Sequence, residues 1–417
     1  MIVSTNATYL RFTDMNNTST WKNKELSVLE MFFIPIILGI TASLCSLLMT
    51  QGHALDGTVY LQGDNRFMDF FNHIVYARDL DATYSATFHA CFPPLAYLFY
   101  HLLSILLPED TYVVSHALDV GSYGLFAYFL FVIVALMVIH YLIKKICHQL
   151  SDENRLCIML AFIFSYSTLI GCIERGNNIL YVAACLLAAI YLKDSPSRYK
   201  REMALILIAI AAALKVYPAV FGILYLYEKR FKEALRLILY GILFFFVPFL
   251  WVGGLNGIRL FFANQAELQL DLGEGNFQCI GELVGMFTQN RGVVLTISLL
   301  CMGLFLILAK LQSTPWKRYV LLVACMVFVP LWSGAYTLTY FLIPLLFFLN
   351  HTKTNAKRMD SYYALVFGML FSLTLIPFEP ELISWAHFVS YAAAYLLVFL
   401  VCCETVYTIS KKTITHN

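Results

Sequence analysis

The chain has 417 residues, of which 60% are hydrophobic, 16% aromatic and 13% charged, with a formal net charge of +2. A soluble protein of this length carries about a quarter charged residues, because its exterior must be solvated. The deficit excludes disordered, coiled-coil, nucleic-acid-binding and ordinary soluble classes, and leaves an all-α polytopic membrane protein partnered by the lipid bilayer.

From the N-terminus, the polar stretch before Leu26 lacks the charged-then-apolar layout of a cleavable signal. Residues 1–28 therefore read as a cytoplasmic tail and the first apolar run as a retained anchor. Long apolar runs bounded by charge predict spans at 29–49, 115–143, 156–173, 178–193, 237–253, 293–310, 319–333, 361–377 and 385–408. Three pieces are ambiguous: 91–107 opens with Pro93 and Pro94, 202–227 is interrupted by Lys215 and Pro218, and 336–350 is short. The 11 cysteines sit mostly inside apolar runs and form no CxxC pair, so they read as small packing residues. No metal pattern is present and no cofactor is expected.

Lys and Arg arbitrate the ambiguous pieces, because short cytoplasmic loops collect them. Placing the basic clusters on one side demands an even number of crossings between neighbouring clusters. On that basis 91–107 lies along the outer face as a juxtamembrane helix. The stretch 202–227 becomes a dipped hairpin, two arms of roughly 20 Å meeting near Lys215 and Pro218, each short of the ~30 Å hydrocarbon core. The expectation is about 10–13 transmembrane helices within one domain over 29–408, both termini cytoplasmic, with 409–417 as the second tail. With this topology 22 of the 28 Lys and Arg lie inside. Two long outer loops, 50–114 and 254–292, carry 11 of the 26 acidic residues against four basic ones, which directs attention to the outer face.

Asp69 is the leading candidate in the first outer loop. It is flanked by Phe67, Met68, Phe70 and Phe71, an apolar setting that suits a carboxylate to general-base work, and Asn72 and His73 follow as substrate contacts. Glu174, Arg175, Gly176 and Asn177 occupy a turn between two spans so short that its polar groups must cluster at membrane depth. It is either a Gly-Asn turn capped by its own side chains or a ligand site in which Arg175 holds a phosphate. Lys215 is the sharpest single residue: an ammonium within an apolar hairpin costs roughly 2.5–3.5 kcal/mol unless paired. Snorkelling at the hairpin tip competes with a role in meeting an anion, where Tyr217 and the helix-breaking Pro218 would assist. In the second outer loop Asn276 and Gln278 belong to a glycine-, amide- and carboxylate-rich surface of the kind that reads polyols, and Tyr336 lies in a third outer turn.

Four stretches in this order carry a resemblance to a known family. They are MDFFNHIVYARDL from Met68 with FPPLAYLFYHLL from Phe92; ERGNNILYVAACLLAA from Glu174; ALKVYPAVFGILYLYEKRFKEAL from Ala213; and EGNFQCIGELV from Glu274 with YTLTYFLIPLLFFL from Tyr336. Together they resemble the polyprenol-phosphate-mannose-dependent mannosyltransferases, glycosyltransferase family 87, of the GT-C superfamily. The resemblance implies a GT-C-like fold and inverting transfer of a hexose, typically mannose, from a polyprenyl-phosphate-linked donor to a glycan or lipid acceptor. It places that chemistry at the extracytoplasmic face of a bacterial plasma membrane, with Asp69 matching the family's catalytic aspartate. One departure is visible: members often carry a histidine near the outer end of the late helix, where this chain has Tyr336 and Thr337. Either His73 or His89 takes that role, or donor and acceptor differ.

The residues fit the reaction that the resemblance implies. A sugar leaving from a lipid phosphate needs a carboxylate to take the acceptor's proton and cations to stabilise the leaving anion. Asp69 is expected to supply the first; Arg175 and Lys215 could supply the second. The rival readings are a secondary transporter with its site at the Lys215 hairpin, against which the lack of an internal repeat counts, and a lipid-linked polysaccharide polymerase, for which the outer loops are too acidic.

Overall fold

The computed structural model describes residues 27–53, 67–85, 90–105, 121–268, 278–331, 333–352, 358–378 and 383–416. Within them the chain is a helical bundle. Five helices are long and apolar enough to cross a membrane: Val28–Met49, Ser122–Ile146, Phe231–Leu250, Arg291–Leu311 and Trp385–Lys411. A bent pair, Asp152–Ile163 with Ser167–Glu174, makes a sixth if counted as one span. Their lipid-facing sides expose residues such as Leu38, Leu48, Phe126, Met137, Leu235, Ile238, Leu300 and Phe399, the surface expected where lipid replaces water as solvent. The chain is therefore a multi-pass integral membrane protein.

Helix α1 (Val28–Met49) starts at a capping box in which Ser27 and Glu30 satisfy each other's backbone N–H groups. It packs against α15 (Arg358–Leu370), where a Cβ on Gly368 would lie 2.2 Å from the Phe32 carbonyl oxygen, so glycine permits the close approach. Helices α2 (Met68–Arg78) and α3 (Pro94–Ser104) pack on each other, and α3 also lies against α7 (Arg198–Leu214) and α9 (Phe231–Phe246). Eleven residues make α3 about 16 Å long, too short to span.

The expected span 156–173 is not one straight helix. Helix α5 (Asp152–Ile163) and the π-helical segment Ser167–Glu174 meet at 61°. Ser165 explains the break: its hydroxyl donates to the Phe162 carbonyl at 2.8 Å and accepts from Thr168 N at 3.3 Å, competing with the helical ladder. Beyond the bend, Gly171 lies so close to Tyr336 that a Cβ would sit 2.7 Å from its backbone nitrogen, so the π segment packs on the 3₁₀ segment Ala335–Phe341. A second difference lies at 361–377, where α15 stops at Leu370. The chain runs on through Leu375, whose N–H donates to Ser43 Oγ at 2.8 Å, into a two-residue ladder pairing Pro377–Phe378 with Ile383–Ser384.

The remaining order is α4 (Gly121–Ile146), α6 (Ile179–Leu192), α8 (Ile223–Tyr227), α10 (Gly254–Leu268), α11 (Ile280–Gly285), α12 (Arg291–Leu311), α13 (Pro315–Phe328), α14 (Leu342–His351) and α16 (Trp385–His416). Helix α13 is buried on every side from Trp316 to Phe328 except at Arg318; it is apolar all round beyond Arg318, and the buried Lys317 is paired with Glu404. The interrupted stretch 202–227 breaks where the charge and proline predicted. Helix α7 ends at Leu214, Lys215 is extended at φ −149° and ψ 134°, and Tyr217–Gly222 continues as a 3₁₀ turn with Pro218 in its first turn.

Candidate active site

The start of α2 is fastened to the turn that follows the π segment. Phe67 N–H donates to the Glu174 carbonyl at 2.6 Å and Asp69 N–H to the Arg175 carbonyl at 2.9 Å, so two helix-start donors lacking intrahelical acceptors are satisfied by one neighbouring turn. The side chains answer in the opposite sense. Arg175 Nη2 donates to Asp69 Oδ1 at 3.2 Å, and Asn177 Nδ2 donates to Asp69 Oδ2 at 2.7 Å. Asn177 Oδ1 in turn accepts from Ile179 N–H at 3.2 Å at the start of α6, so one amide serves both a helix end and the carboxylate.

Gly176 makes this possible: its φ is +75° and a Cβ there would lie 2.6 Å from Phe70 Cβ. Phe67 also takes a left-handed conformation, φ 56°, with its ring 4.2 Å from that of Tyr128.

Asp69 faces a cavity of about 610 Å³. Its lining is mixed: Asp69, Asn72, His73, Arg175, Asn177 and Lys215 contribute polar groups, and Phe245, Phe261, Phe262, Leu268 and Leu331 contribute apolar surface. The Asp69 side chain is 16% exposed, within reach of a bound molecule yet largely shielded from water. Asn72 Oδ1 is a buried acceptor with no partner among the described residues.

Lys215 is only 5% exposed, and its ammonium lies 4.4 Å from the Phe92 ring centre, 4.8 Å from Tyr336 and 5.9 Å from Tyr217. Among the described residues it makes no ion pair. Aromatic faces recover part of the lost hydration of a cation but leave its charge unneutralised. With one carboxylate and two cations the cavity lining holds an excess of positive charge, which favours an anionic ligand.

His73 lines the cavity, but its ring lies 3.9 Å from Phe92 and its Nδ1 is 3.4 Å from the Tyr97 hydroxyl. Tyr217 and Tyr336 also line the cavity. Glu174 contributes its backbone; its carboxylate oxygens are buried and lie outside the cavity wall. Gln278 is likewise outside that wall, its N–H donating to Glu282 Oε2 at 2.8 Å. Asn276 and His89 lie outside the described residues.

Sequence reasoning did not single out Cys91, Phe92, Tyr76 and Gln265 as site residues, and all four line the cavity. Gln265 and its neighbour Asn264 act as a clamp. Gln265 Nε2 donates to the Cys91 carbonyl, and Asn264 Nδ2 donates to the carbonyls of Tyr84 at 3.0 Å and Ala90 at 3.1 Å. Adjacent amides in the second outer loop were the available signal; their target was not legible. Burial pushes the Cys91 thiol up to about 11, so it is neutral near pH 7. Among the described residues no three His, Cys, Asp or Glu side chains converge to hold a metal ion.

Fold and cavity together define a polytopic helical membrane protein with an amphipathic site, lined by a carboxylate, two cations and a set of aromatic and aliphatic residues. The family model described as Glycosyltransferase family 87 matches residues 90–372, and the chain belongs to that family: it is a membrane glycosyltransferase. Arg175, Asn177, Lys215, Tyr217 and Tyr336 fall inside the matched region, and Asp69, Asn72 and His73 precede it. Neither the curated proteins nor the solved structures yield a match.

Proposed function

We propose that this glycosyltransferase moves a hexose, with mannose the leading candidate, from a polyprenyl-phosphate donor to a hydroxyl of a glycan or lipid acceptor, with inversion, at the extracytoplasmic face. The observation that carries this reading is Asp69, held at both oxygens, sharing one amphipathic cavity with Lys215, which makes no ion pair among the described residues. The acceptor oxygen attacks the anomeric carbon while the bond from that carbon to the phosphate oxygen breaks. The bonding pair leaves with the lipid phosphate, and Asp69 takes the acceptor's proton.

Each Asp69 oxygen spends one acceptor site on its partner and retains another for the acceptor hydroxyl, since a carboxylate has about four such sites. Fixing the carboxylate before substrate arrives removes reorganisation from the barrier. Lys215 is placed to receive the leaving phosphate, and Arg175, whose guanidinium has five donors and uses Nη2 on Asp69, has others for the same anion. The apolar part of the lining suits the first isoprenes of the donor, and Asn72, Tyr217 and Tyr336 suit the sugar. His73 is engaged by Tyr97, and the electrostatic part in this reading falls to the ammonium of Lys215.

Purified protein reconstituted in liposomes and supplied with a panel of polyprenyl-phosphate sugars tests this directly. Transfer from one such donor, absent in Asp69→Asn, is expected; transfer only from nucleotide sugars, or full turnover by Asp69→Asn, overturns it.

A further inference from the structure

Helices α7 and α9 lie side by side, and between them they carry two places of surplus positive charge about 20 Å apart along α9. Lys215 and Phe245 line the cavity near one end of the pair. At the other end a cleft of about 440 Å³ opens between Arg198, Arg201 and Glu202 of α7 and Lys232, Glu233 and Arg236 of α9.

Both carboxylates in the cleft are already engaged. Glu202 Oε2 accepts from Arg236 Nη1 at 2.6 Å, and Glu233 Oε1 accepts from Arg230 Nη2 at 2.8 Å with Arg201 Nε at 3.7 Å. Arg198 and Lys232 line the cleft with no carboxylate partner among the described residues, and Arg236 Nε is a buried donor without an acceptor among them. The cleft therefore has surplus positive charge and an unfilled donor.

Its level in the molecule identifies the anion. Lys232, Glu233 and Arg236 occupy the first two turns of Phe231–Leu250, a helix apolar enough to cross a membrane, whose Leu235, Ile238, Leu239 and Ile242 point outward. Exposed Tyr199 and Phe231 stand at the same end, where aromatic residues mark the boundary between hydrocarbon and headgroups. A ligand here has its charge against the cleft and an apolar body along the outward face of α9. We infer that this cleft binds the phosphodiester headgroup of an anionic phospholipid, as a site separate from the catalytic cavity.

The test uses full-length protein in an uncharged detergent, titrated with phosphatidylglycerol or phosphatidylcholine, with retained lipid counted by native mass spectrometry. Phosphatidylglycerol should be retained about tenfold more strongly. The double substitution Arg198→Ala with Lys232→Ala should abolish that preference, while Lys310→Ala, at an exposed lysine elsewhere, should leave it intact. The charge-keeping pair Arg198→Lys with Lys232→Arg should retain it, separating lost charge from lost fold. Equal retention of the two lipids, an unchanged preference in the alanine double variant, or an equal loss in Lys310→Ala overturns the inference. So does full displacement of the lipid by millimolar inorganic phosphate, which would make this a free-anion site.

Discussion

Asn177 donates from Nδ2 to Asp69 Oδ2 at 2.7 Å while its Oδ1 accepts from Ile179 N–H at 3.2 Å, so the proposed base is held by the residue that also secures the start of α6. Asn177→Ala should therefore lower kcat about 10–100-fold with little change in KM, because the carboxylate remains but is held only by Arg175. Asp69→Asn, which removes the proton acceptor, should cost about 10²–10⁴-fold. Steady-state transfer by the two variants checks the ordering; an equal loss in both would assign Asn177 a direct role.

Lys215 separates function from stability. A buried ammonium with aromatic neighbours and no ion pair among the described residues is an expense to the fold. Lys215→Met should raise the thermal unfolding midpoint by a few degrees while lowering kcat about 10²–10³-fold. A loss of both stability and activity would recast Lys215 as a packing residue.

Gly176 is the geometric condition for the interlock between α2 and the 174–177 turn. Gly176→Ala places a Cβ 2.6 Å from Phe70 Cβ at a φ of +75°, a combination expected to cost about 2–4 kcal/mol. The variant should unfold at lower temperature and lose activity in step, whereas activity lost without destabilisation would imply local distortion only.

Glu282, buried in α11 outside the spanning helices, supplies a pH signature. Burial raises its carboxyl above the ordinary value, against the pull of the Gln278 N–H that donates to it at 2.8 Å. A carboxylate raised in the folded state favours folding fully below its unfolded value, and that contribution is lost as pH rises through the folded value. Glu282→Gln should therefore equal the parent near pH 4 and exceed it in thermal midpoint at neutral pH, about 4.3 being the unperturbed value. A difference that stays constant from pH 4 to 8 would contradict the assignment.

Much of the fold is readable from the chain because its determinants are local. The runs that became α1, α4, α9, α12 and α16 declare themselves by length and apolarity, and the break at Lys215–Pro218 by a charge and a missing donor. The bend in 156–173 and the early end of α15 were not readable. The first depends on Ser165 and on Gly171 meeting Tyr336, the second on Ser43 receiving Leu375.

The same division runs through the site. By itself the sequence determined that this is a multi-pass membrane protein, and it nominated Asp69, Arg175 and Lys215, because a charge inside apolar surroundings is conspicuous wherever it stands. Only the tertiary structure decided that Asn177 grips Asp69 across 108 residues, that the Glu174 carbonyl accepts from Phe67 N–H, and that Lys215 lines the same cavity as Gln265, which donates to Cys91. Hydropathy records which residues leave water, a property of each short stretch. Which polar atoms meet depends on how distant helices pack, and a glycine at position 176 lets two of those stretches close within hydrogen-bonding distance.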